Sequence, residues 1–333
     1  MMSALQSSPT LRAHTLIQQN ITSIKGRLET ARTEAVTGQV VDVGRAVNGN
    51  TAKVNLLSEA IAYADDRKNV LDFEGSRMST AQATLTSLRD TAGDTVTALR
   101  FATQSSSDNT RELAESSALA GLEDTIGRLN GAFGGRPLFG GDSGNSPLGS
   151  AEDVLNAVRA IVASAPDAPT ALTQIDTWFN DPAGGFETTF FQGGAGDAPT
   201  VELDKGERTA TSVRADDEAL RNMLRGFAVA AVAAETPSDA DRDSFQQAGI
   251  SILSETANGV LRLQASLGVG EERVAEAQAG HEAQVSTLSI AYNGLTGRDQ
   301  AEAATEMKLL ETQLEAAYLT TSRMANLSLI NYM

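Results

Sequence analysis

Apolar side chains recurring every seven residues bind much of this chain to a helical solution. Ile17, Ile21, Ile24, Leu28, Ala31 and Ala35 follow one another at steps of four, three, four, three and four. That rhythm places them along one stripe of a helix that packs against a partner. The same spacing runs from Val54, Leu57, Ile61 and Ala64 through Leu71 and Met78, and then through Ala81, Leu85, Leu88, Ala92, Thr95, Leu99 and Ala102. It returns in Met307, Leu310, Leu314, Ala317, Thr321 and Met324, and the apolar character persists through Leu327, Leu329, Ile330, Tyr332 and Met333. The seam over 54–102 reads as intramolecular core. Those over 10–35 and 307–333 read as surfaces that another copy of the chain, or a relative, would cover.

The middle is built differently. A helix is predicted over roughly 108–130, with Asp108 as its N-cap and Leu119, Leu122, Ile126 and Leu129 inward. The glycine-rich stretch 130–149 ends that regime. Short helices are predicted at about 151–164 and 168–180, the second carrying Trp178 and Phe179 into a small core. Strands are predicted at 186–192, 199–204 and 207–215, with a turn at Asp204-Lys205-Gly206-Glu207. Helix resumes after Asp216, then at about 239–266, 269–295 and from Arg298 onward. The fold class is therefore mainly α: a long antiparallel helical bundle or coiled coil formed by the N- and C-terminal regions, with a small α+β insert. The expected divisions are 1–45, a terminal assembly helix disordered in the monomer; 46–130 and 223–297, the two halves of a helical core; 131–222, the insert; and 298–333, a second assembly helix.

Composition excludes several function classes. With 26 basic and 43 acidic residues the net charge is −17, the wrong sign for binding nucleic acid. Residues 1–45 run the other way, with Arg12, Lys25, Arg27, Arg32 and Arg45 against Glu29, Glu34 and Asp42. There is no cysteine, so thiolate chemistry and disulfides are absent. No run is long and apolar enough to span a bilayer, and the first twenty residues lack a secretory h-region.

Catalytic fragments fail on inspection. His281-Glu282 opens like HExxH, but Val285 stands where the second metal ligand belongs, and His281 reads as a surface helix residue. Gly141-Asp142-Ser143-Gly144 lacks a base histidine in suitable surroundings and reads as a flexible linker. Asp239–Asp243 alternates carboxylates like a calcium loop but has Ser244 and Ile250 where Gly and Glu are required, so it reads as an acidic helix start. Gly193–Gly196 reads as a turn. No catalytic, cofactor or metal residues are expected, and the chain reads as a non-enzyme. A secreted enzyme with its site in the insert is the alternative from another class.

The stretches 311–333 (ETQLEAAYLTTSRMANLSLINYM), 135–141 (GRPLFGG), 190–194 (FFQGG) and 213–228 (VRADDEALRNMLRGFA) resemble the hook–filament junction proteins of the flagellin superfamily. Where that family commonly has an acidic turn near residue 45, this chain reads VGRAVNGN. The resemblance implies a structural part of the bacterial flagellum, outside the cell and exported without a cleaved signal peptide. It implies as partners the chain itself in a ring, a hook-side junction protein, flagellin, an export chaperone and the type III export apparatus, with no nucleic acid and no membrane. A flagellin is the nearer alternative. The assembly seam it implies comprises Ile17, Ile21, Ile24, Leu28, Leu310, Leu314, Met324, Leu327 and Ile330.

Overall fold

The computed structural model describes residues 9–330, apart from 106, 195, 197–199, 211–212 and 237; for 9–11, 13–14 and 324–330 it describes the backbone alone. The chain is mainly α. It runs α1 (Pro9–Thr37), α2 (Val43–Ala46), α3 (Ala52–Gln104), α4 (Asp108–Leu129), the hairpin β1 (Ala132–Phe133) and β2 (Arg136–Pro137), α5 (Ala151–Ser164) and α6 (Ala168–Asn180). A π turn at Phe186–Phe190 follows, then the hairpin β3 (Thr200–Asp204) and β4 (Glu207–Ala210), α7 (Glu218–Val232), α8 (Asp239–Thr296) and α9 (Gln300–Ile330). Two compact units result: residues 66–281, and residues 1–65 together with 282–333.

The unit of residues 66–281 owns the main core. Along α3 the seven-residue line is buried at Leu71, Met78, Ala81, Leu85, Leu88, Ala92, Leu99 and Ala102. α8 answers with Leu253, Val260, Leu267 and Val274, again seven apart and buried. These two helices lie antiparallel: Gln264 Nε2 donates to Thr86 Oγ1 (2.8 Å), Gln82 Nε2 to the Gln264 carbonyl (2.8 Å) and Gln278 Nε2 to Asp72 Oδ1 (3.0 Å). α4 adds Leu122, Ile126 and Leu129, and α7 adds Leu220, Leu224 and Phe227. Gly121 is required on α4 because a Cβ there would enter the Phe227 ring. Between α4 and α8 the buried Glu115 carboxylate accepts two hydrogen bonds from Arg242 (2.7 Å each) and one from Gln246 Nε2 (2.7 Å). This pairing raises the Arg242 pKa above the usual guanidinium value.

The insert shares that core instead of building its own, since Phe179, Phe186, Phe190, Val201 and Leu203 belong to the same buried cluster. Its short helices are capped by their own sequence. Ser150 and Asp153 form a reciprocal capping box on α5, and Asp167 Oδ1 accepts from Thr170 N (2.8 Å) on α6. Trp178 stacks edge-on against Phe179 and Phe186, as expected of a packed insert.

Four local expectations are corrected. Residues 186–190 form a π turn, not a strand: Phe186 and Phe190 are both buried beside Trp178, and the Thr188 and Thr189 hydroxyls donate to the Gly184 and Gly185 carbonyls. Packing of aromatics on one helical face overrides β propensity there. The helices predicted at 239–266 and 269–295 are a single helix through Gly268 and Gly270. A Cβ at Gly270 would meet Met78 Cε at 2.7 Å and the Ala210 carbonyl at 2.9 Å, so the glycine serves close packing and not a break. Ser107, not Asp108, is the N-cap of α4, with Asp108 in the first turn. The Gly141–Gly144 segment is pinned and not a free linker: Gly194 N donates to the Gly140 carbonyl (2.9 Å) and Gly196 N to Asp142 Oδ1 (3.3 Å).

Candidate assembly interface

In the unit formed by the terminal segments, α1 and α9 pair antiparallel. Their junction is set by backbone geometry. Gly38 ends α1 in the left-handed region (φ +69°), and its N–H returns to the Glu34 carbonyl at 2.8 Å. The following residues meet the turn between α8 and α9, where Val40 N donates to the Thr296 carbonyl (2.8 Å) and Arg298 N to the Gly38 carbonyl (2.9 Å). Asp299 then opens α9 by accepting from Ala301 N (2.8 Å) and Glu302 N (3.3 Å). Helix direction and register are thus fixed at the end where the two helices adjoin.

Ion pairs close one side of this pair. Arg27 reaches Glu306 (3.2 Å), while Arg298 approaches Glu34 (3.5 Å), Glu302 (3.2 Å) and Glu306 (3.1 Å). On the other side, Lys25 lies over the Tyr318 ring at 5.7 Å. No local sequence signal marks the Arg298 cluster, because its partners come from both α1 and α9.

The seam residues fall into three groups. Leu310 is fully buried, together with Ala31 and Ala303. Ile17, Ile21, Ile24, Leu28 and Leu314 are half-buried. The side chains of Met324, Leu327 and Ile330 lie outside the described residues. A two-helix pair can cover only one stripe of each member, and large apolar side chains remain in water around it: Leu16 is 60% exposed, Val36 77%, Leu309 58% and Leu319 63%.

The catalytic fragments gain nothing from the fold. His281 is not on the surface; it is buried, and its Nε2 lies 2.9 Å from the Leu203 carbonyl. The signal was legible, because His281 stands seven residues after Val274 and continues the buried line of α8. What the sequence concealed was the β3–β4 hairpin folding over that position. Around Asp239–Asp243, Ser238 Oγ accepts from Asp241 N (3.1 Å) and Arg111 pairs with Asp243 (3.1 Å), as in an ordinary helix start. Among the described residues no group of three or more His, Asp or Glu is placed to hold a metal ion, and no helix is long and apolar enough to cross a membrane.

Residues 246–333 match the family model of the bacterial flagellin C-terminal helical region. No curated protein matches the chain. Among solved structures, the crystal structure of Bacillus cereus FlgL is 15% identical with a TM-score of 0.41, the match covering 74% of this chain and 97% of that one. A putative flagellar hook-associated protein from Vibrio parahaemolyticus is 13% identical with a TM-score of 0.40, covering 74% and 93%.

Proposed function

We propose that this chain is a non-enzymatic structural protein of the bacterial flagellum, of flagellin type, and that it acts as the junction subunit between hook and filament (the third hook-associated protein). The observation that carries the reading is the flagellin C-terminal match over 246–333, a stretch that contains the whole of α9. The open apolar faces of the α1–α9 pair support it, because a subunit that leaves such surface in water gains roughly 25 cal/mol for every Å² covered on assembly. On this reading the protein is exported without a cleaved signal peptide and acts outside the cell. Its partners are further copies of itself in a ring, a hook-side junction protein, flagellin, an export chaperone and the type III export apparatus.

The test is genetic. Cells lacking the chain are expected to bear hooks and shed filaments into the medium, and a tagged copy is expected at the hook tip. Intact filaments in its absence would overturn the junction role. A filament-forming flagellin is the second reading, favoured because the matched family model is that of flagellin itself. Seeded growth of the purified chain into long filaments would establish that reading in place of the junction role.

A further inference from the structure

Helix α8 is least self-sufficient between Gln264 and Gly270. Gly268 and Gly270 both lie in its interior, where glycine disfavours helix relative to alanine. The Gln264 carbonyl, toward which the helix directs the Gly268 N–H, also accepts from Gln82 Nε2 of α3 at 2.8 Å. A carbonyl with that second donor stays bonded if its helical bond opens, and side chains that enter the backbone ladder are a known cause of helix bends. At Gly270 the neighbours close in: Met78 Cε and the Ala210 carbonyl stand 2.7 and 2.9 Å from where a Cβ would be.

The support on the two sides of this point differs. Before Gln264, α8 is flanked by α7 as well as α3, with Leu253 against Gly226 and Gly259 against Ala219 near the start of α7. Beyond Gly270 the β3–β4 hairpin takes the place of α7. Its Ala210 carbonyl covers Gly270, and about three turns further on His281 Nε2 lies 2.9 Å from the Leu203 carbonyl. Glu202 ties the same strand to Arg67 of α3 at 3.2 Å, and Val201 and Leu203 are buried in the main core.

We infer that α8 carries a latent hinge at Gln264–Gly270 and that the β3–β4 hairpin is the strap that keeps it straight. With the hairpin seated, α8 is one helix of 58 residues. With the hairpin lifted, it is two helices meeting at Gly268–Gly270, the arrangement that local sequence specifies. The strap couples the insert to the bundle: a partner that engages the hairpin bends α8, and a bend in α8 unseats the hairpin.

Two measurements on the purified full-length chain test it. In amide hydrogen exchange, His281→Leu with Glu202→Gln removes two of the hairpin's ties and should speed residues 265–272 about tenfold, leaving 250–260 of the same helix unchanged. Gly268→Ala adds a methyl at an ordinary 3.7 Å from Gln82 Nε2. It should slow 265–272 about fivefold in the otherwise native chain and offset most of the rise in the unstrapped one. The chain has no cysteine, so spin labels at Leu261→Cys and Glu276→Cys report the bend directly. A straight helix should give one narrow distance near ~22 Å; the unstrapped variant should add a shorter population, which Gly268→Ala removes. A single narrow distance in the unstrapped chain, or faster exchange spread evenly over 66–281, overturns the inference. So does the absence of local slowing in Gly268→Ala alone, a variant that leaves every tie of the hairpin in place.

Discussion

Residues 71–102 of α3 and residues 17–35 of α1 carry the same seven-residue apolar rhythm, and the fold treats them oppositely. On α3 the line is sealed, with Leu71, Met78, Leu85, Leu88 and Leu99 wholly buried. Over residues 17–35 of α1 only Ala31 is buried, while Ile17, Ile21, Ile24 and Leu28 stay half in water. The difference lies in the number of partners and not in the pattern. α3 is enclosed by α4, α7, α8 and the insert through a main cluster up to Ala92 and by α4 and α7 through a smaller one around Leu99 and Ala102, whereas α1 meets α9 along a single stripe. A heptad announces that a helix has a partner, and burial depends on how many more follow.

The largest effect expected of a single change is at Glu115. Glu115→Ala leaves the Arg242 guanidinium beside a buried void with its partner gone, and a loss of about 3–5 kcal/mol is expected in chemical denaturation. Leu85→Ala should cost about 2–5 kcal/mol, as a cavity in a core closed on all sides. Leu28→Ala makes the same chemical change at a half-buried site and should cost well under half as much in the isolated chain, while reducing assembly. Equal losses at Leu85 and Leu28 would break the comparison.

A smaller effect is confined to the insert. Hydrogen bonds from Ser150 to Asp153, and from Thr170 to Asp167, hold both carboxyls below the ordinary carboxylate value. A depressed folded-state pKa stabilises in full above about pH 5, and that stability is lost as pH falls below about 4. The caps of α5 and α6 should therefore release first in an acid titration, seen as loss of Trp178 fluorescence order ahead of the helical circular dichroism of the bundle. Asp153→Asn together with Asp167→Asn should remove that early step.

Much of this was legible in the sequence because it depended on near neighbours. The extents of α3, α5 and α6 and the inward face of the 54–102 seam follow from spacing and side-chain type. What escaped depended on distant segments. Phe186 and Phe190 read as a strand until Trp178 is placed against them. Gly268 and Gly270 read as a break until Met78 and Ala210 are found alongside. His281 read as exposed because nothing local reveals the β3–β4 hairpin above it. In the assembly interface, the seam stripe of α1 was visible, but the Arg298 cluster required knowing which residues of α1 and α9 face each other.

Amide hydrogen exchange on the free chain and on assembled material compares the two regions most directly. Amides of α1 and α9 should exchange orders of magnitude faster than those of α3 and α8 within residues 66–281 in the free chain, and should become protected on assembly while the bundle stays unchanged. Protection of α1 and α9 equal to that of the bundle in the free chain, with no gain on assembly, would contradict the account.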